Sequence, residues 1–246
     1  MAHFLSIHAH PDDAEILAGG TLALLRDLGH AITIVSMTPG DCGSAEMGPE
    51  EIAAIRRKEA GAAAELIGAR YECAEFRDLA IFNCDDSRRR VTELLRRIRP
   101  DAVLTASPTD YHCDHEATSI LLRDACFAAS APNYRTGPAA PLAAIPHLYW
   151  MDAVTGTNQA DFVVDVKPAM ARKRRMLAMH ASQREWLRRQ HGIDDYIATM
   201  ERWTQDRGRV VGIEFGEGFR RYPGHPYPQS PLLEQLLSDN VVAASR

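Results

Sequence analysis

The stretch HFLSIHAHPDDAEILAGGTLALLRDLG, residues 3–29, reads as a strand, a polar loop and a helix in immediate succession. Residues 3–8 form a short apolar run of strand length, and a helical pattern follows over about 15–29. Pro11 holds the residue before it in extended backbone, so His10 leaves the strand without turning. The run His8-Ala9-His10-Pro11-Asp12-Asp13 therefore sits where a buried strand ends.

The same alternation continues along the chain. Residues 31–37 and 102–106 are strand-like, 71–76 more weakly so, with helical patterns over 50–68 and 86–99 between them. Strands separated by helices of this length imply right-handed crossovers and a mostly parallel sheet covered on both faces. The expectation is an α/β protein, a Rossmann-like three-layer sandwich with a C-terminal elaboration. A helix is expected over 115–130, with Asp114 as its N-cap. The Pro-, Ala- and Gly-rich stretch 131–146 reads as a long loop bordering the substrate site. Beyond it come strands at 147–151 and 161–166, helices over 168–190 and 193–207, a strand at 209–215, a loop-like tail from Phe219 and a short helix near 231–238. One domain over 1–246 is the economical reading, with 131–165 and 216–246 as variable elaborations.

Composition bounds the function. The chain has 246 residues, of which 46% are hydrophobic and 25% charged, as in a globular domain. A net charge of -5 argues against nucleic acid as a partner. No apolar run nears the roughly 18 residues of a membrane span. The start MAHFLSIHAH lacks the pattern of a signal peptide. Five scattered cysteines without C-x-x-C spacing argue against a disulfide framework, so a cytoplasmic location is expected.

A second run, His112-Cys113-Asp114-His115, follows the strand at 102–106. In open parallel sheets ligands bind at the carboxyl ends of strands, where both runs fall. His10, Asp13 and His115 offer two nitrogens and one oxygen, the ligand set of a catalytic zinc with an open position. Zinc brings the pKa of its bound water to roughly 7. Asp12, adjacent to a ligand, is placed to take the water proton. His112 with Asp114 forms a second pair, suited to stabilise an oxyanion or protonate a leaving amine. Alone, the first run is also a turn capping a helix, and His112 and His115 are also surface residues. Found together at two strand ends, those readings lose most of their weight. His8 reads as a core residue, and Cys113 as a spacer between functional neighbours.

HPDDAEILAGGT together with SPTDYHCDHEAT resembles the PIG-L family of zinc-dependent N-deacetylases, over roughly the first 125 residues and more weakly in KRRMLAMHASQ. The resemblance implies His10, Asp13 and His115 as zinc ligands, Asp12 as general base, and His112 as polarising or acid histidine partnered by Asp114; whether zinc or iron fills the site in the cell is left open at this level. It further implies substrate-binding positions at Asp41, in the turn after the second strand, at Arg56 steadied by Glu59, and at His180. Cys113 stands where the family commonly has proline.

The expected activity is hydrolysis of an N-acetyl group on an amino sugar or its conjugate, a small-molecule substrate, with a homo-oligomer left open. Whether Asp12 or His112 protonates the amine is undecided at this level. A zinc-dependent hydratase of an unsaturated dicarboxylic acid is the rival, and needs several arginines, with Arg56 and Arg135 as candidates. A metal- or sugar-binding module without turnover is a further rival, disfavoured because mere binding needs neither Asp12 nor the His112–Asp114 pair.

Overall fold

The computed structural model describes residues 1–153, 160–192 and 194–244. Residues 154–159 of the variable 131–165 stretch, the first residue of the helix expected from 193, and residues 245–246 of the tail lie outside the described residues.

Five strands form the parallel part of the sheet: β1 (His3–His8), β2 (Ala31–Ser36), β3 (Arg70–Cys73), β4 (Ala102–Thr105) and β5 (His147–Met151). Their connections carry α1 (Asp13–Asp27), α2 (Pro49–Glu65), α3 (Asp85–Ile98) and α4 (Cys113–Ala129). The C-terminal part contributes β6 (Phe162–Asp165), α5 (Met170–Ala178), α6 (Ala181–His191), α7 (Tyr196–Val210), β7 (Gly216–Arg221), α8 (Leu232–Leu236) and β8 (Val241–Ala243). The strand order is β3-β2-β1-β4-β5-β7-β6-β8, with β7 antiparallel to both neighbours and β8 antiparallel to β6.

Side chains alternate across each strand, which splits the core in two. Phe4 of β1 and Leu104 of β4 face one cluster with Leu22 of α1, Ala63 of α2, Met176 of α5 and Met200 of α7. Leu5, Ile7 and Val103 face the other, with Val91 and Leu95 of α3 and Leu121 and Leu122 of α4. Helices thus cover both faces, as the sequence implies.

The order also fixes where a ligand binds. The chain runs outward from β1 through β2 to β3, then returns to lay β4 on the other side of β1, with Ile7 opposite Thr105. The crevice opens at such a reversal, beyond the carboxyl ends of the strands. The segments that follow β1 and β4 carry the two histidine-rich runs.

Several local expectations need correction. No strand covers 209–215: α7 runs on to Val210, and the strand is Gly216–Arg221, within what reads as loop. Its sequence GEGFRR lacks the β-branched residues that mark a strand, because a buried Glu217 occupies one core-facing position. The helix expected over 168–190 is two helices, broken at Met179 and His180. Asp114 is not the cap of α4. His112 holds that position, and its side chain accepts from the Asp114 backbone N–H. The 131–146 loop is irregular as expected, but Leu142 to Pro146 line a cavity with Ala2 and Asp101, at the amino ends of β1 and β4. It borders the end of the sheet opposite the histidine-rich runs.

Candidate active site

Asp12 stands at the entrance of α1 with φ 101°, a left-handed conformation rare outside glycine. No side-chain cap bond accompanies it. The strained turn instead sends Asp12 and Asp13 in different directions, and such strain gathers at functional sites.

Asp13 turns toward the histidines. Its Oδ2 accepts the His10 N–H at 2.8 Å and lies 3.6 Å from His10 Nδ1, while its Oδ1 lies 3.4 Å from His115 Nε2. His10 Nδ1 and His115 Nε2 are 3.3 Å apart. Ligand atoms on a tetrahedral ion with bonds of about 2.0–2.1 Å stand roughly 3.3–3.4 Å from one another. The separations of His115 Nε2 from His10 Nδ1 and from Asp13 Oδ1 match that spacing, and the other Asp13 oxygen lies slightly farther from His10 Nδ1. The nitrogens of His10, His112 and His115 also gather within 4.8 Å. His112 Nδ1, however, is committed to the Asp114 N–H at 3.2 Å, which leaves Asp13 as the better third ligand.

Each imidazole of this set is held from behind. His10 Nε2 is 3.3 Å from Asp114 Oδ2, and His115 Nδ1 is 3.0 Å from Asp110 Oδ1. Carboxylates on the outer nitrogen fix ring orientation and raise ligand basicity. The expected partnership of Asp114 with His112 is thus corrected. The Asp114 carboxylate serves His10 and accepts the Leu79 N–H at 2.7 Å, and only its backbone meets His112. The reason is local: as cap, His112 turns its ring over the first turn of α4, which directs the Asp114 side chain away from it.

Electrostatics divides the histidines. Burial disfavours charge on His10, but bonds to Asp114 and Asp13 outweigh it and push its pKa up to about 10. His112 goes down, through burial and the neighbouring His10 and His115, so its neutral form is favoured. With Nδ1 accepting, the neutral ring carries its proton on Nε2. Asp12 goes up, chiefly through burial and despite Arg56.

A cavity of about 360 Å³ opens over these groups. His10, Asp12, Asp13, His112 and His115 lie in its floor and wall, with Arg56, Asp78, Cys42 and the apolar Leu79, Tyr111, Leu187 and Trp203. The remaining expected substrate residues divide. Arg56 lines the cavity but is buried, donating to the Pro11 carbonyl at 2.8 Å and lying 3.7 Å from Asp12 Oδ1. Glu59 does not steady it. Glu59 accepts from the N–H and hydroxyl of Ser182, at 2.9 and 2.6 Å, and so satisfies the amino end of α6. His180 is fully buried 3.6 Å from Glu15 and does not line the cavity. Asp41 is also off the lining, accepting the N–H of Asp78 and so bracing the turn that carries Asp78 and Leu79. Arg135 is off the lining, its carbonyl accepting from Arg89 near the start of α3.

Several residues of the site escaped sequence reasoning, Asp110, Tyr196, Leu187 and Trp203 among them. Asp110 lies five residues before His115, a spacing that carries no helix signal because both flank the start of α4. Tyr196, Leu187 and Trp203 come from α6 and α7, in a segment with no metal-ligand pattern. Tyr196 donates its hydroxyl to Asp12 Oδ2 in a short hydrogen bond. Only the helical spacing of Tyr196, Met200 and Trp203 hints at a common face.

Comparison with known proteins identifies the family and the fold. The PIG-L family model, described as GlcNAc-PI de-N-acetylase, matches residues 5–126. A 1D-myo-inositol 2-acetamido-2-deoxy-alpha-D-glucopyranoside deacetylase of Saccharopolyspora erythraea is 30% identical over 192 residues, which span 66% of this chain and 68% of the relative. Among solved structures, the N,N'-diacetylchitobiose deacetylase of Pyrococcus horikoshii is similar with a TM-score of 0.79 at 27% identity, over 94% of this chain and 88% of that one. A 4-carboxy-2-hydroxymuconate hydratase of Pseudomonas putida is similar with a TM-score of 0.76 at 26% identity, over 94% of this chain and 100% of that one. Among the described residues no helix is long and apolar enough to cross a membrane.

Proposed function

Because this chain belongs to the PIG-L family, which the deacetylases of amino-sugar conjugates above represent, we propose that it is a metal-dependent N-deacetylase acting on an N-acetylated amino sugar carried on a further group. The observation that carries the reading is the division of the Asp12-Asp13 pair. Asp13 faces the two imidazoles, while Asp12 faces the same cavity with its carboxylate directed elsewhere.

His10 Nδ1, Asp13 and His115 Nε2 would hold zinc, the metal that this mixed nitrogen and oxygen set suits. When bound, the ion supplies the positive charge that acidifies water and polarises the acetyl carbonyl. Asp12 takes the water proton, and a carboxyl raised by burial is better matched to that task near neutral pH. The Nε2–H of a neutral His112 donates to the oxyanion that develops on the acetyl oxygen. Asp12, having taken the water proton, returns it to the amine as the C–N bond breaks. The products are acetate and the free amine.

The hydratase reading fits the cavity less well. A dianionic acid needs several cations, whereas the lining carries Asp12, Asp13 and Asp78 against a single arginine, Arg56. Arg135, the other candidate, does not line the cavity. The test is a parallel assay of zinc-loaded protein for acetate release from N-acetylated amino-sugar glycosides and for hydration of unsaturated dicarboxylic acids. Acetate release supports the reading. Hydration without acetate release overturns it.

A further inference from the structure

Asp12 is held from two sides by groups distant in sequence. Arg56 of α2 stands 3.7 Å from Oδ1, and Tyr196 of α7 donates its hydroxyl to Oδ2 across 184 residues. The backbone beneath is in a left-handed conformation, with φ 101°.

Tyr196 is placed by the packing of its helix. Tyr196, Met200, Trp203 and Thr204 recur at helical spacing on one stripe of α7. Met200 and Thr204 are buried, the Tyr196 ring packs against the core cluster around α1 and α5, and Trp203 lines the active-site cavity. One helix face thus reaches both the substrate space and the base. This helix lies outside residues 5–126, the part that the family model spans.

We propose that Tyr196 is a positioning residue for the reaction, its hydroxyl occupying Asp12 Oδ2 so that Oδ1 is the oxygen presented to the cavity. This rests on Asp12 acting as the base. A carboxylate free to rotate presents either oxygen and loses alignment, and misplacement on the scale of 1 Å costs about 100-fold in rate. With Oδ2 engaged and Oδ1 beside Arg56, the orientation is over-determined from α2 and α7 together. The C-terminal elaboration then completes the catalytic geometry of the first 126 residues, as well as walling the pocket.

The test uses zinc-loaded full-length protein and N,N'-diacetylchitobiose as probe. Tyr196→Phe keeps the ring and its packing and removes only the donor. The expected result is a fall in kcat of roughly 10- to 100-fold with KM within about twofold and zinc content unchanged. An unchanged kcat overturns the proposal, and so does a rise in KM alone, which would make Tyr196 a substrate contact. A second arm is independent of turnover: urea unfolding of the wild type, Tyr196→Phe, Asp12→Ala and the double variant. Holding of Asp12 predicts that Tyr196→Phe has no further effect on the midpoint once Asp12 is removed, whereas additive shifts mean that Tyr196 serves only to dock α7. If the wild type releases no acetate, the deacetylase reading fails, and the unfolding cycle still decides whether Tyr196 holds Asp12.

Discussion

His10 Nδ1 and His115 Nε2 stand 3.3 Å apart although 105 residues separate them, because one follows β1 and the other follows β4 across the reversal of strand order. Their outer nitrogens meet Asp114 and Asp110. Removing either carboxylate should loosen the ligand without removing it. Asp110→Ala is expected to weaken zinc binding 10- to 100-fold, whereas Asp13→Ala should abolish stoichiometric zinc. Competition with a chelator of known affinity measures both.

Zinc binding should release protons. In the metal-free protein, bonds to Asp114 and Asp13 overcome the effect of burial and hold the pKa of His10 at about 10, so His10 is protonated at neutral pH. A ligand nitrogen must be deprotonated, so metal displaces that proton. Affinity is therefore expected to rise about tenfold per pH unit for each proton displaced between pH 6 and 8. Titration calorimetry in buffers of different ionisation enthalpy reads the proton number, and a value of zero contradicts this ordering of charge.

His8 should make the metal-free protein acid-sensitive. It is buried on β1 with Nε2 bonded to Ser6 Oγ, and burial lowers its pKa to about 4. Below about pH 6.5 the unfolded chain takes up a proton on this residue and the folded chain does not. Stability therefore falls as pH drops from about 6.5 to about 4, by roughly 3 kcal/mol from this one group. Comparing urea unfolding of His8→Gln with the wild type across that window isolates the effect, and parallel pH curves would remove it.

Glu59 should matter for stability rather than for substrate binding. Its carboxylate accepts from the N–H and hydroxyl of Ser182 at the amino end of α6, where negative charge is favoured. Glu59→Ala is expected to cost about 1–2 kcal/mol, in the range of a lost helix cap, with little direct effect on kcat. Denaturant unfolding and steady-state kinetics on the same preparation check both parts.

Much of this architecture is readable from the chain before folding. The apolar runs at β1, β2 and β4 are buried on both faces and stand out from their flanks, and their order places both histidine-rich runs at one sheet edge. The proposed ligand set follows from residue type and position. The partners of those ligands do not, because a carboxylate two residues from His112 faces His10 once His112 caps α4. Arg56 and Glu59 are three residues apart on α2, yet one points to Asp12 and the other to α6. Tyr196 carries no signal of its own, since its role depends on where α7 docks. Strand β7 is hidden because Glu217 sits at a core position that apolar residues ordinarily fill, bonded to Lys173 and to the N–H groups of Gly20 and Thr21.

In the proposed division of labour, Asp13 holds the metal and its neighbour Asp12 moves the proton. Its most direct test is Asp12→Asn, assayed for zinc content and acetate release on one preparation against the wild type. One zinc per chain is expected in both, with acetate release from an N-acetylated amino-sugar glycoside reduced by about 100- to 10,000-fold in the variant. Full turnover by a zinc-loaded Asp12→Asn protein, or loss of its zinc, would contradict it.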